Sequence, residues 1–253
     1  MEVCKGGYQA VIFDLGGTLR IALDDEPYMR HARRKLAEIA GTAMPFEDFY
    51  QLVEDRYEPY RRWALLENRE AGDKELWTRW LLPDYDRTWI SKVCHELSFQ
   101  YRQTKGRRVL VEGGMLVLKT LRGRGYRLGI VSNLIGENEI SDWLEEDRLD
   151  DCFDSVVLSS VCRLRKPCAE IYHIAARELG VAPEACVSVA DNVKRDIAGA
   201  KAAGIGCNII FRSPEEKHPV EFTEANRPDA VISRFTDLLG LLPAVQSSAP
   251  SGA

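Results

Sequence analysis

Long apolar runs are missing from this sequence of 253 residues. No window reaches the roughly 20 consecutive apolar residues that a membrane-spanning helix needs. The first ten residues, MEVCKGGYQA, also lack the apolar core of a secretory signal peptide. We therefore expect a cytoplasmic protein that makes no contact with a membrane.

An excess of basic residues is missing as well. The chain has 34 Lys and Arg against 39 Asp and Glu, so its net charge is -5. This balance gives no reason to expect a nucleic-acid partner, and a small anionic ligand must be attracted by local cations. Hydrophobic residues make up 45% and charged residues 29% of the chain, as in an ordinary globular protein. The sequence carries no signal for an oligomeric state.

The sequence also lacks a pattern of paired cysteines. The seven cysteines are odd in number and scattered, and none forms a C-x-x-C pair of the kind found in zinc or redox sites. We therefore expect reduced thiols that are mostly buried. They are Cys4, Cys94, Cys152, Cys162, Cys168, Cys186 and Cys207.

What the sequence does contain is an alternation of short apolar runs and helical patterns from about residue 110 onward. In CAEIYHIAARELG, Ile171, Ile174 and Leu179 share one helical face, and Gly180 supplies a C-terminal stop. Strands that alternate with helices predict an α/β fold with a doubly wound parallel sheet. The predicted strands are QAVIFDL, RLGIVSNL, DSVVLSS, ACVSVADN, CNIIFR and DAVIS.

A long segment of different character separates the first predicted strand from the others. Residues 21–108 have helical periodicity and few β-branched runs, so we predict a helical cap domain there. The α/β core then comprises residues 1–20 and 109–245, and the small polar tail 246–253 is predicted to be disordered. Aromatic residues of the cap are expected in its core. They include Trp63, Trp77, Trp80 and Trp89.

Polar residues stand where the predicted strands end. In an open parallel sheet, ligands bind outside the carboxyl ends of the strands, so these side chains are expected to lie close together. Each also has an ordinary structural explanation by itself, as a turn, a helix cap or a solvated charge. It is their repetition on successive strands that indicates a site. The residues are Asp14, Ser132, Asn133, Lys166, Asp191 and Asp196.

The series resembles the four motifs of the haloacid dehalogenase superfamily of aspartate-nucleophile hydrolases. The first motif, Asp-x-Asp-x-Thr after an apolar strand, is matched by VIFDLGGTL except that Gly16 replaces the second Asp. Ser132 in GIVSN matches the second motif, and Lys166 in RKP matches the third. Asp191 and Asp196 in VSVADNVKRD match the fourth. The long insertion resembles the helical cap of many members.

The resemblance implies a Rossmann-like core and a Mg²⁺-dependent phosphomonoester hydrolase that acts on a small phosphorylated metabolite. Asp14 would be the nucleophile and would form an aspartyl-phosphate. Mg²⁺ would be held by Asp14, Asp191 and the backbone carbonyl of Gly16, with support from Asp196.

The resemblance also implies a phosphate-binding group. Lys166 and Ser132 would hold phosphate oxygens and stabilise the charge of the transferring group. Asn133 and Thr18 are predicted to complete the substrate-binding residues.

Gly16 leaves the proton donor unassigned, because phosphatases of this family use the missing Asp as general acid and base. General acid-base catalysis typically raises a reaction rate by about 10²- to 10⁴-fold. One alternative is a phosphatase that is slow toward alkyl phosphates, or one in which another acid substitutes. The nearest candidates in sequence are Asp24, Asp25 and Glu26.

Two further alternatives remain open. Family dehalogenases have Tyr at the position of Gly16, and family phosphonate hydrolases have Ala there together with a Schiff-base lysine from the cap. Lys35 and Lys74 are the lysines to consider for that role. The last alternative is a non-catalytic protein that binds a phosphorylated ligand or a protein partner.

Overall fold

The computed structural model describes residues 7–149, 151–212 and 221–245. The segment 246–253, for which we predict disorder, lies outside the described residues. Within these described ranges, no helix combines the length and the apolar character that a membrane crossing would require.

Six parallel strands form the central sheet, in the order β5-β4-β1-β6-β7-β8. A separate antiparallel ribbon pairs β2 with β3. The strands are β1 (Ala10–Phe13), β2 (Arg20–Leu23), β3 (Arg107–Leu110), β4 (Arg127–Ser132), β5 (Ser155–Leu158), β6 (Cys186–Ala190), β7 (Cys207–Phe211) and β8 (Ala230–Ile232).

Helices lie between the strands. The α-helices are α1 (Glu26–Ala40), α2 (Phe46–Glu67), α3 (Asp73–Glu75), α4 (Arg87–Gln103), α5 (Gly114–Gly123), α6 (Glu139–Glu146), α7 (Ser159–Cys162), α8 (Glu170–Leu179), α9 (Ala198–Ala202) and α10 (Leu238–Leu241). Two π-helical turns, Leu76–Leu81 and Val193–Ile197, continue α3 and precede α9.

The sequence of the central strands explains their position. All residues of β1 (AVIF), β6 (CVSVA) and β7 (CNIIF) are buried, as expected for a parallel sheet that is covered on both faces. The doubly wound α/β prediction is confirmed. Because β1 lies between β4 and β6, the chain order reverses beside β1, and a crevice is expected at its carboxyl end.

The helices α1 to α4 are inserted between the two strands of the ribbon, and Arg20 of β2 pairs with Leu110 of β3. The ribbon corrects the sequence analysis, which assigned residues 21–108 helical character throughout. Both strands are short and half exposed, so they lack the apolar run that identifies a buried strand. The division into a core and a cap domain stays a prediction.

The inserted helices have a hydrophobic cluster of their own. Trp77 is fully buried in it, and the Trp63 and Trp80 rings lie 5.2 Å apart at its border. These three positions agree with the expected core role of the aromatic residues. Trp89 differs, since it is 43% exposed.

One cysteine contradicts the expectation of reduced thiols, because Cys207 is disulfide-bonded. Position in the sequence gave no indication of this, since the pairing of cysteines is set by the tertiary fold. The reduced cysteines among the described residues are Cys94, Cys152, Cys162, Cys168 and Cys186.

Candidate active site

Asp14 lies at the carboxyl end of β1, in the centre of the sheet. Its backbone N–H donates to the Val189 carbonyl of the neighbouring strand at 2.9 Å, and its side chain is buried. The chain then turns at Gly17, which has a φ of +85°. A Cβ atom at Gly17 would collide with the Asp191 carboxylate, so only glycine lets this turn approach the site.

Lys166 joins two of the predicted carboxylates. Its ammonium group lies 2.5 Å from Asp14 Oδ1 and 2.5 Å from Asp196 Oδ1, and it also donates to the Val131 carbonyl at 2.8 Å. Asn133 fixes the backbone of Lys166 on both sides. Its Nδ2 donates to the Lys166 carbonyl at 3.0 Å, and its Oδ1 accepts from the Lys166 N–H at 2.8 Å.

The carboxylates of Asp14, Asp191 and Asp196 form a cluster, here called the carboxylate triad. One oxygen atom from each lies within 4.8 Å of the others. Asp196 is fully buried in the π-helical turn Val193–Ile197, whereas the Asp191 side chain is 33% exposed. The sequence prediction that these acids meet is thus matched by their positions.

A residue that the sequence analysis missed lies between the three carboxylates. The Arg195 Nη2 atom is 2.8 Å from Asp196 Oδ2, 3.2 Å from Asp191 Oδ1 and 3.6 Å from Asp14 Oδ2. A cation inside the fourth motif, directly before Asp196, was the available signal. The sequence could not show which way the Arg195 side chain points, because an arginine in a helical turn can also face solvent.

The two cations Lys166 and Arg195 do not fully neutralise the three carboxylates of the triad. Burial raises the pKa of Asp14, and the Lys166 ammonium offsets this only in part. Burial, together with the Asp14 and Asp196 carboxylates, raises the pKa of Asp191 to about 7. Burial opposes the ionisation of Asp196 as well, but Lys166 and Arg195 outweigh it and lower the pKa of Asp196.

The donor atoms of the triad fit a hard divalent cation. Asp14 Oδ2 is buried and has no hydrogen-bond partner, since Arg195 Nη2 lies 3.6 Å from it, and a buried acceptor of this kind is costly unless a closer cation or a ligand satisfies it. Mg²⁺ prefers carboxylate oxygens of this kind. The triad therefore meets the chemical requirement for the cation that the sequence analysis predicted.

The structure places the remaining predicted residues as follows. Ser132 is the buried last residue of β4. The Thr18 hydroxyl is buried without a hydrogen-bond partner, in the turn where the Thr18 N–H donates to the Leu15 carbonyl at 3.1 Å. Gly16 is exposed, and a Cβ atom built on it would meet nothing within 4 Å.

Comparison with known proteins identifies the family. Residues 8–204 match the haloacid dehalogenase-like hydrolases. The chain belongs to this family. Over 205 residues it is 29% identical to the glyceraldehyde 3-phosphate phosphatase of Pyrococcus abyssi, covering 78% of this chain and 79% of the relative. Over 248 residues it is 28% identical to the enzyme of that name from Methanopyrus kandleri, covering 92% and 97%.

A solved structure shows the same fold. The 2-haloacid dehalogenase from Pseudomonas syringae pv. Tomato DC3000 superposes on this hydrolase with a TM-score of 0.67 at 20% sequence identity, covering 92% of this chain and 97% of the other. The resemblance drawn from the four motifs is confirmed.

The acids considered as substitutes for the missing Asp have other contacts in this hydrolase. Asp25 caps α1 by accepting from the Tyr28 N–H at 3.1 Å, and Glu26 pairs with Arg33 at 3.0 Å. Asp24 is exposed. No hydrogen bond or ion pair in the described part of the chain joins any of the three to Asp14, so a substitute acid stays a prediction.

The inserted-region lysines considered for phosphonate chemistry have other surroundings. Lys35 lies 3.5 Å from Glu38, and Lys74 borders a cavity with His95 and Arg163. Among the described residues, the ion pairs of Asp14 are those with Lys166 and Arg195.

Proposed function

We propose that this hydrolase cleaves phosphomonoesters of small metabolites through an aspartyl-phosphate on Asp14. One observation supports this most directly. Asp14 is buried at the carboxyl end of the central strand, with Oδ1 fixed by Lys166 and Oδ2 without a hydrogen-bond partner. A carboxylate with one oxygen oriented and the other available is suited to nucleophilic attack.

The reaction has two steps. In the first, an Asp14 oxygen forms a bond to phosphorus while the bond from phosphorus to the ester oxygen breaks, and the alcohol leaves with a proton from solvent. In the second, water attacks phosphorus, the bond from phosphorus to the Asp14 oxygen breaks and one proton of the water returns to solvent, so that inorganic phosphate leaves and the carboxylate is restored. Lys166 stabilises the negative charge of the transferring group in both steps. Ser132, Asn133 and Thr18 are the proposed supporting residues.

A Mg²⁺ cofactor would be held by Asp14, Asp191 and Asp196 together with the backbone carbonyl of Gly16. When bound, it neutralises the charge between the carboxylates and an anionic phosphate. The shortage of positive charge in the carboxylate triad supports this assignment.

Gly16 restricts the substrates that react quickly. Without an acid at this position, an alkoxide must leave with little assistance, whereas a phenolate leaves unaided. We therefore expect aryl phosphates to react faster than alkyl phosphates. The relatives named glyceraldehyde 3-phosphate phosphatase suggest three-carbon phosphates as the first natural compounds to test.

The test measures phosphate release from an aryl phosphate, glyceraldehyde 3-phosphate and a panel of sugar phosphates, with Mg²⁺ or with EDTA. The enzymes are the wild type, Asp14→Asn and the matched control Asp55→Asn, an equal chemical change at an exposed position. We expect Mg²⁺-dependent release that is lost in Asp14→Asn and kept in Asp55→Asn.

Other results would reject the proposal in distinguishable ways. Release of halide from 2-haloacids without metal would identify a dehalogenase. Ligand-induced thermal stabilisation by phosphate esters without product would identify a binding protein.

A further inference from the structure

Arg195, the cation that lies between the three carboxylates of the triad, is held less firmly than Lys166. Lys166 is 1% exposed and has a further bond to a backbone carbonyl. The Arg195 side chain is 32% exposed, and its hydrogen bonds among the described residues go only to Asp191 and Asp196. Lys166 is therefore a fixed part of the site, whereas Arg195 can leave it toward solvent.

Arg195 pairs with the same three carboxylates that a divalent cation would use. Its Nη2 atom is within 3.6 Å of one oxygen from each of Asp14, Asp191 and Asp196, and these carboxylates lie close enough to hold a single ion. An ion bound to one of these oxygens at about 2.1 Å would lie within about 6 Å of the Arg195 Nη2 atom, where two like charges repel each other. The guanidinium and the ion therefore compete for the triad.

We propose that Arg195 is an internal competitor for Mg²⁺, so that the cation enters the triad only when the guanidinium moves out. This inference rests on the proposed function, because it assumes that the triad is the site of the catalytic cation. It makes Arg195 a positioning residue that sets the Mg²⁺ concentration at which the site fills.

The local backbone is suited to such a movement. The Arg195 N–H donates to Asn192 Oδ1 at 2.9 Å, which holds the π-helical turn in place independently of the guanidinium. Asp196 stays fixed by Lys166 when Arg195 leaves. Asp14 and Asp196, both paired with Lys166, thus keep their places while the Arg195 side chain exchanges with the ion.

The test is calorimetric titration of the full, EDTA-treated chain with MgCl₂, without substrate. Arg195→Gln keeps a polar side chain and removes the charge, and Lys194→Gln removes one charge from an exposed neighbour on the same turn. We expect Arg195→Gln to bind Mg²⁺ at least about tenfold more tightly than the wild type, because a unit charge at this separation interacts strongly. Lys194→Gln should stay within about twofold of the wild type, because exposed charges are screened.

An unchanged or weaker affinity in Arg195→Gln would overturn the inference, as would equal tightening in Lys194→Gln or a lack of Mg²⁺ binding by all three proteins. Circular dichroism checks that the variants are folded. If Arg195→Gln is not, Arg195→Lys tests the same point, because its shorter side chain reaches fewer carboxylate oxygens and should tighten binding several-fold. No gain in Arg195→Lys would then reject the inference.

The inference and the proposed function fail separately. If the affinity ratio is as expected but no phosphate ester is hydrolysed, the assignment of Asp14 as nucleophile is wrong and the competition is retained. If phosphate is released with Mg²⁺ but Arg195→Gln binds the ion no more tightly, the competition is wrong and the proposed function is retained.

Discussion

Gly16 is the residue that most restricts the proposed chemistry. It stands two positions after Asp14, where an acid would deliver a proton to the leaving group. The structure shows that this position has room, because a Cβ atom would meet nothing within 4 Å and the backbone does not have a positive φ. The neighbouring Gly17 is different, since a side chain there would strike Asp191.

The open space predicts that Gly16→Asp raises activity. An added carboxylic acid would supply the missing proton donor, so kcat for alkyl phosphates should rise by about 10²-fold, and that for aryl phosphates much less. Phosphate-release kinetics on both substrate types give the ratio.

The matched control is Gly240→Asp, because that glycine is also exposed, also without neighbours within 4 Å, and distant in sequence from the site. An equal rise for both substrate types, or no rise, would show that the lack of a proton donor does not limit the reaction.

At the scale of secondary structure, helix α4 shows how the inserted region is stabilised locally. The Asp86 carboxylate precedes the helix and accepts from the N–H groups of Thr88 at 2.8 Å and Trp89 at 2.9 Å. These donors have no partner inside the helix, so the cap satisfies two of them.

We predict that Asp86→Ala lowers the free energy of unfolding by about 1 kcal/mol. Asp86→Asn should keep most of the wild-type stability, because Asn is also a good N-cap residue. Urea unfolding followed by circular dichroism measures both values. Glu58→Ala, an exposed change inside α2, serves as a reference for the loss of a surface carboxylate. Equal losses in the Ala and Asn variants would mean that the charge of Asp86, and not the cap, is the stabilising feature.

At the scale of the whole molecule, the helical insertion is joined to the sheet through Glu70. This buried carboxylate is ion-paired with Arg165 and accepts from the Tyr60 hydroxyl and from Ser159 Oγ, the latter at 2.9 Å. Next to it, the Arg165 N–H donates to the Asn68 carbonyl at 2.9 Å. The loop that carries Lys166 is therefore held directly by the inserted region.

We predict that Glu70→Ala lowers the free energy of unfolding by about 3 to 5 kcal/mol, because it leaves the largely buried Arg165 without its partner. Activity should fall as well, since the adjoining Lys166 loses its support. Urea unfolding, followed by tryptophan fluorescence and by circular dichroism, measures the stability.

Glu67→Ala, an exposed acid at the end of α2, should change stability by less than about 0.5 kcal/mol. A small loss in Glu70→Ala would show that the insertion is held to the sheet by other contacts.

The sequence alone determined the strands of the sheet and the polar residues that directly follow them. Buried strands such as AVIF and CVSVA are recognisable because they are short runs of almost entirely apolar residues, and Asp14 and Asp191 directly follow them. Such signals are local, since they depend on neighbours within a few positions. The half-exposed ribbon strands Arg20–Leu23 and Arg107–Leu110 had no such signal and were missed.

Only the tertiary structure decided which charges meet. Arg195 is adjacent to Asp196 in sequence, but its contact with Asp14 depends on β1 lying beside β6. The pairing of Glu70 with Arg165 likewise joins segments that are 95 positions apart. Side-chain direction and long-range contact arise from the packing of distant elements, so a pattern of residue types along the chain does not contain them.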